Sequence, residues 1–273
     1  MTEETRKYLA IIRERTDFVP KVALTLGSGL GGFADTIQNP IVIPYTDLPG
    51  FPVSTAPGHE GKFIMGMIGD VPVICMKGRV HSYEGYSPEQ VCAPARVMQA
   101  MGAQILFLTN AAGGSKSTYH PGTLALVTDH VSLFIRNPLI GPNDEEEGVR
   151  FPDMTQVYDA QLREIIQKTA AELSIPLDTG VYVQLSGPSF ETPSEIRLLS
   201  QLGVTLFGMS TVQEAIAARH MGMKVCCISL VSNLAAGISG NKLTSEEVEA
   251  AGKAAEPLFT KLVTESIKGM KNI

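Results

Sequence analysis

Apolar runs recur along the chain between polar or glycine-rich segments, and their spacing predicts most of the secondary structure. The run Ile105-Leu106-Phe107-Leu108 is apolar at every position, which is typical of a central strand covered on both faces. Apolar and often β-branched runs predict β-strands over residues 22–26, 41–43, 63–68, 71–76, 105–109, 124–128, 179–184, 205–207 and 225–231.

Helix signals stand between several of these runs. Ser87-Pro88-Glu89-Gln90 combines an N-cap, a proline at the first helical position and a capping-box glutamine, and it predicts a helix that ends near Met101. Comparable capping signals begin further helices at Thr192, Thr211 and Thr244. Amphipathic patterns add helices over 3–14 and 160–172. We therefore expect an α/β fold, and since no linker divides the chain we expect one domain over residues 1–273.

Composition narrows the class of protein. The chain is 44% hydrophobic and 18% charged, and its net charge of -6 offers no attraction to nucleic acid or to anionic membranes. No apolar stretch reaches about 18 residues, and no signal-peptide pattern opens the chain. The four cysteines match no zinc spacing and indicate buried, reduced thiols. We expect a cytoplasmic protein that binds no nucleic acid, no membrane and no metal.

Seven short segments that follow apolar runs carry the candidate chemistry. Strands that end at one edge of a sheet bring such segments together, and open α/β sheets bind ligands there. Hydroxyls, backbone N–H groups, an arginine and histidines suit an anion, whereas a carboxylate, a carboxamide and aromatic rings suit a flat heterocycle. The segments are Gly27-Ser28-Gly29-Leu30-Gly31-Gly32, Pro57-Gly58-His59, Gly78-Arg79-Val80-His81-Ser82-Tyr83-Glu84, Asn110-Ala111-Ala112-Gly113-Gly114, Gly187-Pro188-Ser189-Phe190-Glu191, Met209-Ser210-Thr211 and Ser232-Asn233.

The first of these segments formally satisfies the dinucleotide fingerprint G-x-G-x-x-G. The helix that would follow it, from Leu30, must end before Asn39-Pro40, which is short for a Rossmann crossover. No acidic residue ends the next apolar run. A dinucleotide site, a plain tight turn and a free-phosphate loop remain possible, and we favour the last, with Ser28 as a donor.

Arg79 and His81 stand two residues apart in an extended segment, so both side chains can meet one phosphate. Glu84 is placed to hold the imidazole. Ser210 precedes the capping box at Thr211, where free backbone N–H groups favour an anion. The alternatives are a surface ion pair for Arg79 and simple capping for Ser210.

Glu191 and Asn233 suit a purine base. Glu191 can accept from the N–H edge of a heterocycle, or it can merely favour the dipole of the helix that follows. Asn233 ends the run from Val225, and a carboxamide there needs partners, although a turn is the alternative. Residues 137–153 form the longest predicted loop, and its acidic run at 144–147 indicates a solvated surface, a lid or a subunit contact.

Taken together, the segments between Val22 and Glu256 resemble purine nucleoside phosphorylase of the trimeric, low-molecular-weight type. The most specific matches are Gly27-Ser28-Gly29-Leu30-Gly31, Gly78-Arg79-Val80-His81-Ser82-Tyr83-Glu84-Gly85-Tyr86, Thr109-Asn110-Ala111-Ala112-Gly113-Gly114, Gly187-Pro188-Ser189-Phe190-Glu191-Thr192 and Gly208-Met209-Ser210-Thr211-Val212. The resemblance implies a central mixed sheet, partly closed into a barrel and flanked by helices, in a homotrimer. It also implies phosphorolysis of guanosine, inosine and their deoxy forms in purine salvage, with inorganic phosphate as co-substrate and no cofactor.

The resemblance further implies roles for individual residues. Phosphate is expected to contact Ser28, Arg79, His81, the Ala111 N–H and Ser210, with His59 covering the site. The ribose is expected beside Tyr83 and Met209, and the purine beside Phe190, Glu191 and Asn233. Phe151 is expected to reach the neighbouring subunit's site, and Asn233, Glu191 and His81 are expected to be catalytic. Ser245 stands where the family often has a histidine at the ribose 5′-hydroxyl, so that contact stays open.

Three rival functions remain: a methylthioadenosine phosphorylase, an NAD-dependent enzyme and a non-catalytic purine-binding protein. The first acts on a 6-aminopurine, where protonation of N7 would favour an acid at position 233. Because the carboxamide of Asn233 can donate to a 6-oxo group, we predict guanosine and inosine as substrates.

Overall fold

The computed structural model describes residues 1–56, 58–240 and 242–273, and the strands in this part of the chain form one mixed sheet. The strands are β1 (Val22–Thr25), β2 (Gln38–Pro44), β3 (Lys62–Ile68), β4 (Val71–Lys77), β5 (Ile105–Gly114), β6 (Leu124–Val131), β7 (Leu177–Gln184), β8 (Leu206–Gly208) and β9 (Lys224–Leu234). The helices are α1 (Glu3–Arg13), α2 (Pro88–Ala100), α3 (Ala160–Glu172), α4 (Pro193–Gln201), α5 (Val212–His220) and α6 (Ser245–Gly269).

The sheet is open at one end and closed at the other. Its order is β2-β3-β4-β1-β5-β8-β7-β6-β9, and β5 also pairs with β9, so that β5, β8, β7, β6 and β9 form a five-stranded ring. β1 is parallel to β4 and β5, and β5 is parallel to β9, whereas β8 is antiparallel to β5. The prediction of a mixed, partly barrel-like sheet is confirmed.

Helices cover both faces of the central strands, which explains why these strands are apolar throughout. Successive side chains of a strand point to opposite faces. Leu106 and Leu108 pack into a core shared with residues of α1, α2 and α5. Ile105 and Phe107 pack into a second core, shared with residues of α3 and α6.

Several strands extend further than the sequence predicts, and in β5 and β9 this changes where site residues lie. β5 continues through Asn110 to Gly114, and β9 continues through Ser232 and Asn233 to Leu234. The two strands pair over this length, with a register shift between Ala112 and Gly113. The prediction that these segments follow the strands is wrong, because backbone pairing with a neighbour continues where the apolar side chains stop.

The predicted helix starts are confirmed. Ser87 Oγ accepts from the Gln90 N–H, and Gln90 accepts from the Ser87 N–H in return. After the glycine segment that follows β1, the chain forms only a 3₁₀ segment, Gly31–Thr36, rather than the long helix of a Rossmann unit. This geometry does not favour the dinucleotide interpretation.

The acidic run is not solvated throughout. Glu147 forms an ion pair with Arg96 of α2, and both side chains are largely buried. Glu146 lies 3.5 Å from Arg6 of α1. The loop that carries this run is therefore fixed to two helices, and the solvated-surface interpretation is wrong for Glu147.

All four cysteines are free and buried, as predicted. Burial raises the pKa of the Cys75 and Cys226 thiols well above the usual value for cysteine. Within the described ranges, no helix combines the length and the apolar character that a membrane crossing requires.

The second core depends on Phe259 of α6, which is fully buried and packs edge-on against Phe33, with ring centroids 6.2 Å apart. We expect Phe259→Ala to lower the free energy of unfolding by about 3–5 kcal/mol, because it removes a buried ring and leaves a cavity. The neighbouring Leu258 is 51% exposed, so Leu258→Ala is the matched control, with an expected change under about 1 kcal/mol. Urea unfolding at one protein concentration compares the two, and equal effects would contradict this account of the core.

Candidate active site

A cleft of about 150 Å³ opens at one end of the barrel, where the ends of β5, β8 and β9 meet the segments that follow β1, β4 and β7. Most of the predicted site residues line it. They are Ser28, Arg79, His81, Tyr83, Ala111, Phe190, Glu191, Met209, Ser210 and Asn233.

Arg79 is the charged centre of this cleft, and it is almost fully buried. Its Nη1 donates to the Thr109 carbonyl at 2.9 Å and to Ser210 Oγ at 3.1 Å. Its Nε lies 2.9 Å from Glu214 Oε2. Nη2 has no hydrogen-bond partner among the described residues. A buried N–H group needs an acceptor, so this edge of the guanidinium suits an anion, and the surface ion pair considered for Arg79 is wrong.

Glu84 holds His81, as the sequence predicts. Glu84 Oε1 accepts from the His81 backbone N–H at 2.8 Å and lies 2.9 Å from His81 Nδ1. Burial by itself would raise the pKa of Glu84, but hydrogen bonds from His81 and Thr55 lower it to about 2. The carboxylate therefore stays charged and fixes the imidazole, which leaves Nε2 as the ring nitrogen available to a ligand.

His59 connects the first glycine segment to Arg79. Its Nδ1 lies 3.0 Å from the Arg79 carbonyl, and its Nε2 lies 3.2 Å from Ser28 Oγ. Because a carbonyl only accepts, Nδ1 carries the hydrogen and the neutral ring accepts from the Ser28 hydroxyl. Burial, followed by the charges of His81 and Arg79, lowers the pKa of His59 to about 4. Pro57, the other end of this predicted motif, lies outside the described residues.

The lining of the cleft also includes a carboxyl, that of Glu191, and a carboxamide, that of Asn233, and Asn233 pairs with Gly113 of β5, four residues beyond the Thr109 that Arg79 contacts. Burial raises the pKa of Glu191, and the nearby charge of Glu195 adds to the effect. Asn233 Nδ2 donates to Ser232 Oγ at 3.1 Å, and Ser232 in turn donates to the Ala112 carbonyl at 3.4 Å. These bonds fix the carboxamide of Asn233 and leave Oδ1, which has no partner among the described residues, and the second N–H of Nδ2 for a ligand.

Tyr83 and Met209 line the same cleft, and their side chains suit a sugar. The Tyr83 ring stacks on His81, with centroids 4.6 Å apart. Gly187 has a φ of +61°, and a Cβ there would lie 2.4 Å from Met209 Sδ. A glycine at this position therefore leaves room for the Met209 side chain. Ser245 lines a wider outer cavity of about 920 Å³, which shares Ser28, Tyr83 and Met209 with the cleft.

Phe151 does not line this cleft and is 88% exposed. The Arg150 guanidinium lies 5.8 Å from the centroid of its ring. The structure thus brings together the predicted site residues of one chain, and it leaves Phe151 on the surface.

Several contacts of the site were not predicted from the sequence. Asn110 donates through Nδ2 to Thr211 Oγ1 at 2.9 Å, and Thr211 has a φ of +82°, which is uncommon for a β-branched residue. Gly252 of α6 rests on the first glycine segment, because a Cβ there would lie 2.7 Å from the Gly29 carbonyl oxygen. Glu214 appears in the sequence only as the acid of a capping box, which does not indicate its contact with Arg79.

No group of three or more histidine, cysteine, aspartate or glutamate side chains is arranged to hold a metal ion in the part of the chain that the structure describes. The chemistry available in the cleft consists of fixed hydrogen-bond donors, one buried guanidinium and one carboxyl.

Comparison with known proteins agrees with this geometry. This chain belongs to the phosphorylase superfamily, whose family model matches residues 21–268. Purine nucleoside phosphorylase 1 of Bacillus subtilis is 46% identical over 263 residues, which cover 96% of this chain and 97% of that protein. Within the superfamily, this chain belongs to the purine nucleoside phosphorylases.

Solved structures give the same result. A Schistosoma purine nucleoside phosphorylase in complex with hypoxanthine has a TM-score of 0.94 and 37% identity, over 99% of this chain and 98% of that one. The Schistosoma mansoni enzyme in complex with adenosine has a TM-score of 0.93 and 37% identity, with the same coverage. These likenesses confirm the fold and the family expected from the motifs.

The low pKa of His59 predicts a loss of stability in mild acid. In the unfolded chain a histidine titrates near pH 6.5, whereas in the fold the pKa of His59 is about 4. The neutral ring therefore stabilises the fold above pH 6.5, and this contribution is lost as the pH falls through 4. It amounts to about 3 kcal/mol between pH 7 and pH 4.

We expect His59→Asn to remove this pH dependence, because the amide can still donate to the Arg79 carbonyl but does not titrate in this range. Urea midpoints measured from pH 7 to pH 4 should fall less steeply for His59→Asn than for the unmodified protein. His120→Asn, at an exposed position, is the control. Parallel curves for all three proteins would show that His59 titrates normally in the fold.

Proposed function

We propose that this protein cleaves guanosine, inosine and their deoxy forms with inorganic phosphate, giving the free purine and ribose 1-phosphate or its deoxy form. The observation that carries the proposal is that one cleft is lined both by the buried, partly unpartnered guanidinium of Arg79 and by the carboxyl and carboxamide of Glu191 and Asn233. The name of the Bacillus subtilis relative and the hypoxanthine-bound relative support it.

Phosphate is held beside the sugar by donors that, apart from Ser28 Oγ, are fixed before it binds. We assign these donors to the Nη2 edge of Arg79, Ser210 Oγ, the Ala111 N–H, His81 Nε2 and Ser28 Oγ. Ser28 has to turn its hydroxyl from His59 to donate to the anion, and the start of α5 adds a favourable dipole. Because these groups are preorganised in a partly buried cleft, they stabilise charge without reorganising during the reaction.

The reaction needs no cofactor in this scheme. As the bond from C1′ to N9 of the purine lengthens, the sugar carbon becomes cationic, and a phosphate oxygen beside it stabilises the cation and then bonds to C1′. The electron pair of the broken bond moves into the purine ring. A hydrogen bond from Asn233 to N7 or O6 stabilises that charge most strongly in the transition state, while Glu191 accepts from the N1–H. Removing such a donor typically costs about 100- to 1,000-fold in rate.

We further propose that three copies assemble and that Phe151 of each reaches the site of a neighbour. Phe151 is exposed on a loop that the ion pair between Glu147 and Arg96 fixes to α2. Leu133, Phe134, Ile140 and Val149 are also exposed in this region of the chain, and such an apolar surface is typical of a protein contact. A role in purine salvage and a cytoplasmic location, which suits buried free thiols, belong to the same proposal.

We expect strict dependence on phosphate, which distinguishes a phosphorylase from a hydrolase and from a purine-binding protein. Release of hypoxanthine from inosine should be undetectable in phosphate-free buffer and saturable in added phosphate. Arg79→Lys keeps the buried charge but loses the planar fork, so the KM for phosphate should rise by about tenfold or more. Equal cleavage without phosphate would overturn the proposed function.

The choice of base follows from Glu191 and Asn233. A 6-oxopurine presents acceptors at O6 and N7 and a donor at N1, whereas adenine presents a donor at C6 and an acceptor at N1. Because mismatched buried polar groups are left unpaired, we expect kcat/KM for adenosine to be lower than for inosine by on the order of 10⁴-fold. The adenosine complex of the Schistosoma mansoni relative makes turnover, rather than binding, the decisive measurement.

Asn233→Asp should lower kcat/KM for inosine and reduce the difference in kcat/KM between inosine and adenosine. The reason is that a carboxyl can share a proton with N7 of adenine while it accepts from the 6-amino group. Comparable kcat/KM for adenosine and inosine in the unmodified protein would remove Asn233 and Glu191 from base recognition and would favour the methylthioadenosine type of phosphorylase.

Subunit mixing tests whether the site is shared. Glu191→Ala and Phe151→Ala subunits should each have low activity alone, and mixed trimers should regain part of it, because some sites then combine intact residues from two chains. Sedimentation equilibrium measures the assembly, and exchange of labelled subunits is the control. Exchange without any recovery would count against a shared site.

A further inference from the structure

We infer that Glu214 is a positioning residue, which aims the Arg79 guanidinium at the bound phosphate. The inference rests on the proposed function, since it takes phosphate to be the anion that Arg79 meets. Glu214 lies on the first turn of α5 and contacts Arg79. Arg79 lines the cleft, whereas Glu214 does not.

The contact between the two side chains is buried. The side chains of Arg79 and Glu214 are 1% and 3% exposed, and Arg79 Nε lies 2.9 Å from Glu214 Oε2. The Nε–H is angled away from the oxygen, so the 2.9 Å contact depends on where the carboxylate oxygen lies, and it fixes the place of the guanidinium. The bonds from Nη1 to Thr109 and Ser210 fix its rotation. The remaining edge, Nη2, is the one left for an anion.

Glu214 is itself held by the framework of the protein. Its Oε2 also accepts from the Thr211 backbone N–H at 3.2 Å, and Thr211 Oγ1 accepts from Asn110 of β5. The carboxylate oxygen therefore has a fixed position that is set by α5 and β5 and does not depend on a ligand. Arg79 lies on a segment between β4 and α2. Its contact with Glu214 therefore connects that segment, through Thr211 and Asn110, to β5 of the barrel.

Helix capping alone does not explain a buried carboxylate. α4 carries the same capping box, in which Glu195 Oε2 accepts from the Thr192 N–H at 2.7 Å, and there both residues stay at the surface or near it. Burying a carboxylate is costly unless it is paired. The pairing with Arg79 is therefore what distinguishes Glu214 from Glu195.

Three substitutions separate position from charge, with inorganic phosphate titrated calorimetrically into the purified full chain. Glu214→Gln removes the charge but can place an oxygen at the same point. Glu214→Asp keeps the charge but withdraws the oxygen by one methylene, and Glu214→Ala removes both. Loss of a polar contact to a charged group typically changes affinity by about 10- to 100-fold. We expect the Kd for phosphate to rise about 100-fold in Glu214→Ala and about tenfold in Glu214→Asp, while Glu214→Gln recovers most of the loss seen in Glu214→Ala.

The KM values give a second readout. Loss of positioning raises the KM for phosphate while the KM for inosine, measured at saturating phosphate, changes by less than about threefold. A general loss of structure would affect both. Glu195→Asp is the matched control, because it shortens the acid of the equivalent box in α4, and its phosphate Kd should match that of the unmodified protein.

The order of the variants in their affinity for phosphate decides between position and charge. Weaker phosphate binding by Glu214→Asp than by Glu214→Gln supports positioning, and this comparison still decides if Glu214→Ala fails to fold. The reverse order would show that charge rather than position matters, and it would overturn the inference, as would folded Asp and Ala variants with unchanged Kd. If the unmodified protein binds phosphate and releases base, such a result leaves the proposed function intact. If the unmodified protein does neither, the proposed function fails and the inference fails with it.

Discussion

The arrangement of the molecule depends on one strand, β5, which forms backbone hydrogen bonds with three neighbours. Its first residues pair with β1 and β9, and its last two pair with β8, so a single strand belongs to both the open sheet and the ring. The residues Ala111-Ala112-Gly113-Gly114 have small side chains where the open sheet meets the ring, and larger ones would not fit there. A Cβ on Gly114, for example, would lie 2.7 Å from the Tyr119 ring. The register shift after Ala112 sets Asn233 opposite Gly113. Closure of the ring and placement of a base-reading side chain are therefore consequences of the same pairing.

The electrostatics of the cleft are local and do not follow the net charge. A chain of net charge -6 repels anions at long range, so attraction has to come from donors that are fixed at short range. The Arg79 guanidinium is neutralised in part by Glu214 on the protein side, and His81 is oriented by a carboxylate whose pKa is about 2. Arg79 and His81 thus each contact an acidic side chain. An acidic partner of this kind fixes the direction in which the donor's N–H groups point, while it reduces the net charge that the pair presents to a ligand.

Most of the architecture could be predicted from the sequence because apolar runs and capping boxes are local signals. Every predicted strand and helix is present, and the motif segments meet in one cleft. The strand ends were predicted too short, since Asn110 and Ser232 are polar and pattern alone does not reveal that a neighbouring backbone continues to pair. The ion pair of Glu214 was missed for a different reason, because it joins residues 135 positions apart through the fold. The acidic run was misread at Glu147 because its partner, Arg96, lies on a helix that only the tertiary structure brings near.

The buried cysteines have a consequence for how the molecule can be observed. Thiol-modifying reagents attack the thiolate, and burial both excludes the reagent and raises the pKa of Cys75, Cys92, Cys226 and Cys227. Cys75, Cys226 and Cys227 stand on β4 and β9, and Cys92 stands on α2. In the native protein each sulfur becomes reactive only when its own element opens. The four cysteines therefore report on the opening of three elements of the core. Comparing the alkylation rate of each cysteine would show whether the sheet and the helix open together or in sequence.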